Sequence, residues 1–363
     1  MQVSPSSILI IATRQIGDVL LTTPLIRTIR KGYPNAKLDI LVYKNTEGIL
    51  EGNPDLDSII TISEHPNKKE YFSLLKKIFR KYDLTVSVQG GDRPTIYSLF
   101  AGNKKRLAIL HSDRTQERWK QWLLDEWILL DNIKTHTVIQ NLKLADCLEL
   151  EWQSKVVPPE PDQTVFDTFI SDLPLLPGRN HFVVLHPFPR FRYKDWHFEG
   201  WVEVIRYLLT TDQKILLSGG PGHEESDFCQ RLVSVSDSEN VISIAGKTSL
   251  AILAKLMTQA KAYVGPDTAV THLAAASGIR TIVLLGPTNP MKWGAWPVDC
   301  NLEEGSPWIK KQDRQNNGNV ILLQGLGDCV PCFEEGCDRH KESLSQCLQT
   351  MPAQRIIDEL KSI

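Results

Sequence analysis

The chain has 363 residues, 42% of them hydrophobic and 23% charged, so it is long enough for two ordinary domains and too apolar for global disorder. Its formal net charge of -2 supplies no overall cationic field, which excludes wholesale coating of nucleic acid or polybasic adhesion to a membrane; any phosphate chemistry has to be local. No apolar run reaches the roughly 20 residues that span a bilayer, the start lacks the marks of a signal peptide, and the 7 cysteines are odd in number with four in the tail, so a cytoplasmic protein with reduced thiols is expected.

Ile8 to Ala12 is a continuous apolar run of the kind that forms a fully buried parallel strand. Leu20, Leu21, Leu25, Ile26 and Ile29 then recur at helical spacing, with Gly32 and Pro34 as stop signals, and Leu38 to Tyr43 completes a βαβ unit. A short strand over Ile59 to Ile62, a helix over Tyr71 to Tyr82 and a buried strand over Leu84 to Val88 continue a doubly wound half. Pro158, Pro159, Pro161, Pro174 and Pro177 discourage long regular structure, which places a linker over residues 158–180. The alternation restarts with strands over Phe182 to His186, Lys214 to Ser218, Val241 to Ile244, Ala262 to Val264 and Thr281 to Leu285. Helices over Phe198 to Thr210, Glu224 to Val233, Ser249 to Gln259 and Ala269 to Ser277 alternate with these strands. Two α/β halves of this kind direct a ligand to the carboxyl ends of their strands, in a cleft between the domains.

Three turns carry the candidate chemistry. After the first strand, Thr13-Arg14-Gln15-Ile16-Gly17-Asp18 offers a glycine that permits close backbone approach or positive φ. Asp18 is placed there either as a general base or as a first-turn helix acid. The loop from His186 to Trp196 gathers Arg190, Arg192 and Lys194, a cation set that suits a diphosphate or simply a solvated basic loop. Gly265-Pro266-Asp267-Thr268 leads from a strand into a helix, with free N–H groups suited to phosphate and His272 one turn further on; a plain helix cap with a core histidine is the competing reading. Ser218-Gly219-Gly220-Pro221-Gly222 adds a glycine-rich turn on the same expected side, and no G-x-G-x-x-G fingerprint stands after the first strand.

In combination these residues resemble glycosyltransferase family 9, the lipopolysaccharide heptosyltransferases. The resemblance is carried over nearly the whole chain by Ile16-Gly17-Asp18-Val19-Leu20 with Thr23-Pro24-Leu25, Lys194-x-Trp196, Ser218-Gly219-Gly220-Pro221, Gly265 through His272, and Leu285-Gly286-Pro287-Thr288. Leu21-Thr22-Thr23-Pro24, Tyr33-Pro34-Asn35-Ala36 and Asn53-Pro54 look most like the branch that adds the third heptose. The resemblance implies a GT-B architecture, two Rossmann-like doubly wound domains facing across a cleft. The acceptor domain would span residues 1–157, the donor domain residues 181–350, and a helix within 351–363 would return to the first domain. It further implies inverting transfer of heptose from ADP-heptose to the lipopolysaccharide inner core, with Asp18 as the base that deprotonates the acceptor hydroxyl.

Lys194, Trp196, Gly219, Gly220, Gly265, Pro266, Asp267, Thr268 and His272 would then bind the donor, and Arg14, Gln15, Gly17, Arg118 and Lys120 the acceptor. No cofactor is implied, no nucleic acid is expected as a partner, and a peripheral contact with the inner membrane surface is. Lys104, Lys105, Arg106, Arg114, Arg118 and Lys120, interleaved with Trp119, Trp122 and Trp127, read either as a surface for a phosphorylated, lipid-anchored sugar or as a charged helix with core tryptophans. Cys329-x-x-Cys332 with Cys337 and Cys347 reads either as a structural metal site or as a reduced cluster packing the tail. A catalytically silent sugar-nucleotide-binding protein and a transferase of another nucleotide sugar are the competing functions. A nicotinamide oxidoreductase is disfavoured by the missing glycine fingerprint.

Overall fold

A computed structural model describes residues 4–111, 114–173, 181–211, 213–300 and 306–362. The chain divides between Val157 and Pro158 into two compact units, each built on its own sheet.

In the first unit, β1 (Ser7–Ala12), β2 (Lys37–Tyr43), β3 (Ser58–Ile62), β4 (Tyr82–Ser87), β5 (Gly102–Leu110) and β6 (Glu126–Leu129) form a sheet of order β3-β2-β1-β4-β5-β6. Every pairing in it is parallel. The uninterrupted apolar run of β1 follows from its central place, since Ile8 through Ala12 are wholly buried. Helix Lys68–Ile78 starts where the Asn67 side chain accepts the Glu70 N–H. It ends four residues before the predicted limit of Tyr82, because Arg80 enters the left-handed region at φ 50° and Tyr82 opens β4. Sequence reading missed β5, whose amino half carries the basic run Asn103 to Arg106; Gly102 and Leu107 to Leu110 are buried, and the run between them is exposed or half-buried.

The second unit holds β7 (Phe182–Leu185), β8 (Lys214–Leu217), β9 (Val241–Ser243), β10 (Ala262–Pro266), β11 (Arg280–Leu285), β12 (Arg314–Asn317) and β13 (Val320–Gln324). Their order is β12-β13-β11-β10-β7-β8-β9, parallel except for the hairpin β12–β13, which turns through Gly318 at φ 53°. The expected linker contains helix Gln163–Ser171, because Asp162 caps it by accepting the Thr164 N–H at 2.8 Å. Pro174 and Pro177 lie outside the described residues.

The final helix, Gln354–Lys361, belongs to the second unit by its contacts. It sinks Ile356 and Leu360 into the same core as Val183, Trp201 and Val204, which gives its apolar stripe a partner within that unit.

The strand order reverses between β1 and β4 in the first sheet and, leaving aside the edge hairpin β12–β13, between β7 and β10 in the second. Such a switch point splays the loops that leave the carboxyl ends of the two strands and opens room for a ligand. The turn carrying Asp18 leaves β1, and the loops carrying Lys194 and Asp267 leave β7 and β10.

Candidate active site

In the first unit Asp18 sits in the first turn of the short helix Ile16–Leu20, which follows Gln15 directly after β1. Its carboxylate meets the Arg14 guanidinium at 2.8 Å, and its side chain is only 13% exposed. The main chain beneath it is fixed by the Thr22 hydroxyl, which donates to the Asp18 carbonyl at 2.9 Å. Gly17 is helical and does not take positive φ, so of the two roles foreseen for it only close approach is left. Gln15 is exposed beside it. The neighbouring turn after β4 is Gln89-Gly90-Gly91: Gly90 stands where a Cβ would meet the His111 ring at 2.7 Å, and Gly91 has φ 120°. Paired glycines after a strand are the signal by which that turn is legible.

Two other acceptor-side expectations divide. Lys120 is 4% exposed and donates to Glu117 at 2.9 Å and to Asp92 at 3.1 Å, so it braces the turns above β4 and β5 and presents no cation outward. Arg118 is exposed. The side chain of Arg114 lies outside the described residues, and Trp119, Trp122 and Trp127 are 42%, 89% and 38% exposed rather than core residues.

In the second unit Lys194 reaches across from the β7 loop to Asp267 after β10. Its ammonium donates to the Asp267 carboxylate at 2.8 Å and to the Asp267 carbonyl at 2.9 Å. His272 Nε2 lies 3.8 Å from the other carboxylate oxygen. Burial pushes the Asp267 carboxyl up, but Lys194, His272 and the Thr288 side chain outweigh it and hold the group below its ordinary range. The result is a buried anion that orients two basic side chains at the start of helix Ala269–Ala276. Thr268 makes no side-chain cap there, which leaves the first-turn N–H groups without a hydroxyl acceptor from their N-cap. Thr288 belongs to a stretch that the sequence singled out without giving it a role.

Several donor-side expectations take a different form. Trp196 is 2% exposed, donates to the Met351 carbonyl at 2.9 Å and packs edge-on against Trp201, so it anchors the loop in the core. Gly200 makes room for its ring, since a Cβ there would collide with it. Gly265 and Pro266 close β10, and the Gly265 position is filled on its free side by the Tyr263 hydroxyl. The Gly220 N–H donates to the Glu225 carboxylate, which places an anion at that turn and suits it to hydroxyl donors rather than phosphate. Gly219 packs against Ala245. His186 is held at about 4 by burial, and its Nδ1 lies 3.1 Å from the Ser218 carbonyl and hydroxyl, so a neutral ring ties β7 to β8.

The residues of the tail lie apart from these turns in chemistry. Cys347 is buried and pushed up to about 12, first by desolvation and then by the nearby Cys332, Cys329 and Cys337 thiols. Among the described residues no three His, Cys, Asp or Glu side chains are grouped so as to hold a metal ion.

The family model of glycosyltransferase family 9 (heptosyltransferase) matches residues 71–317, well over half of the chain. The chain belongs to this family. Lipopolysaccharide heptosyltransferase 3 of Escherichia coli K12 is 27% identical over 289 residues, covering 78% of this chain and 83% of that protein. The structure of a family 9 glycosyl transferase from Veillonella parvula superposes with a TM-score of 0.77 at 17% identity, over 98% of this chain and 96% of the other. Escherichia coli ADP-heptose lipopolysaccharide heptosyltransferase II gives 0.73 at 19% identity, with 98% of each chain covered. The fold of this glycosyltransferase is accordingly GT-B, with one Rossmann-like sheet per unit.

Proposed function

We propose that this family 9 enzyme transfers a heptose from ADP-heptose to the inner core of lipopolysaccharide, with inversion at the anomeric carbon. The observation that carries the reading is that each sheet bears the group the reaction needs at its own switch point: a carboxylate beside β1, and an ammonium at an uncapped helix start beside β10. Asp18 takes the proton of the acceptor hydroxyl as its oxygen attacks the anomeric carbon from the face opposite the diphosphate. The bond from that carbon to the β-phosphate oxygen breaks, and its electrons leave with ADP. Lys194 and the first-turn N–H groups of helix Ala269–Ala276 face this developing charge. Asp267 serves them by orienting Lys194 and His272, and Glu225 offers an acceptor to hydroxyls of the donor.

On the acceptor side, Arg14 and Gln15 flank the base, and Arg14 holds its carboxylate in place through the 2.8 Å ion pair. The third-heptose branch is the reading favoured by the likeness to heptosyltransferase 3. A lipid-anchored acceptor brings the enzyme to the cytoplasmic face of a membrane, where exposed Trp119, Trp122 and Trp127 beside Arg118 suit peripheral contact. No described helix is long and apolar enough to cross a membrane.

Calorimetric titration of the wild-type chain with ADP, UDP and GDP tests the donor assignment. Selective ADP binding is expected, and Lys194→Ala should weaken it by about ten- to a hundredfold, the range for a hydrogen bond to a charged group. Binding of UDP or GDP alone would replace the donor, and unchanged ADP affinity in Lys194→Ala would remove Lys194 from the site.

A further inference from the structure

The thiol-rich tail segment that follows β13 is hydrogen-bonded to the loops assigned to the donor. The Ser345 hydroxyl, on a residue only 1% exposed, donates to the Tyr193 carbonyl at 2.6 Å. The Gln349 amide donates to the Asp195 carbonyl at 2.8 Å. These two carbonyls belong to the residues on either side of Lys194. Between the two donors, on the short helix Gln346–Gln349, Leu348 fills the space a Cβ at Gly286 would need. Gly286 opens the turn whose Thr288 side chain bonds Asp267, and the Phe333 N–H donates to the Pro287 carbonyl of the same turn at 2.9 Å. The Met351 carbonyl, one turn further on, accepts from Trp196 at 2.9 Å.

We infer that Ser345 and Gln349 are positioning residues for donor binding: by fixing the peptide group that precedes Lys194 and the one that follows Asp195, they hold the Lys194 ammonium on Asp267, where the diphosphate arrives. The inference rests on the donor reading above. A lysine side chain has several rotatable bonds, so where its ammonium can reach depends on where its main chain is anchored. The short loop from Arg190 to Asp195 contains only a three-residue turn of helix, Arg192–Lys194, which supplies little anchoring of its own. The tail supplies it from outside, through hydrogen bonds to Tyr193 and Asp195.

The test is ADP titration of the full chain carrying Gln349→Ala, Ser345→Ala, both together, and each combined with Lys194→Ala. Gln349→Ala removes one half-buried amide and is the mild variant, so a folding failure of Ser345→Ala leaves the inference testable. The double variant is expected to bind ADP about tenfold more weakly, as two lost hydrogen bonds imply, while Ser345→Thr restores affinity because it keeps the hydroxyl. In the Lys194→Ala background the same changes should cost nothing further, since a group that acts through Lys194 is silent without it. Wild-type affinity in the Gln349→Ala and double variants, or an equal loss with and without Lys194, would overturn the inference. Unchanged affinity in Lys194→Ala alone would instead show the donor reading itself to be wrong.

Discussion

Lys194 and Asp195 are adjacent in one loop and meet opposite electrostatic circumstances. Lys194 finds a buried carboxylate, whereas Asp195 is pushed up to about 6 by desolvation that Arg192, 3.5 Å away, only partly offsets. One of its carboxylate oxygens is buried without a hydrogen-bond partner. The sign of the linkage follows: the folded value lies above the ordinary 3.8, so the folded protein retains a proton that the unfolded chain has lost, and stability falls as pH rises from about 4 through about 6. Asp195→Asn removes that loss. Thermal unfolding should show the variant stabilised by roughly 2 kcal/mol at pH 8 and hardly changed at pH 4; equal melting of the two proteins at pH 8 would contradict the burial argument.

At the scale of elements, the junction of β10 with helix Ala269–Ala276 sets the donor side, and its geometry depends on a missing side chain. The Tyr263 hydroxyl occupies the space beside Gly265 and is tied to Thr271 at 2.8 Å, while Thr271 also bonds the Pro266 carbonyl. Tyr263 is wholly buried, so it has no room to withdraw. Gly265→Ala should therefore cost about 1–3 kcal/mol in denaturant unfolding, the usual price of overpacking, and weaken ADP binding with it; wild-type stability would show the junction to be looser than described. The sequence made such junctions legible because their strands are fully apolar, as Ile8 to Ala12 and Phe182 to Leu185 are, and the reactive residues follow them. It concealed β5 because a strand that leaves its amino half in solvent carries Lys104, Lys105 and Arg106 like a loop. Motif membership also said nothing of direction: Trp196 and Lys194 share one motif, yet one side chain enters the core and the other meets Asp267. Lys120 is buried against Glu117, one helical turn back, and against Asp92 from the turn after β4.

At the scale of the whole molecule, the first unit holds a carboxylate paired with Arg14, and the second a lysine paired with Asp267 at the start of a helix. In the proposed reaction neither group is sufficient alone, because the base and the bound donor must act on a single hydroxyl. The direct measurement is the rate of heptose addition from ADP-heptose to a truncated lipopolysaccharide acceptor, followed by acceptor mass, for wild type and Asp18→Asn alongside ADP titration of both. The account predicts transfer by the wild type, a loss of about 10²–10⁴-fold in Asp18→Asn as expected for removal of a general base, and nearly equal ADP affinity. Undiminished turnover in Asp18→Asn, or a wild type that binds ADP and transfers no heptose, would contradict it.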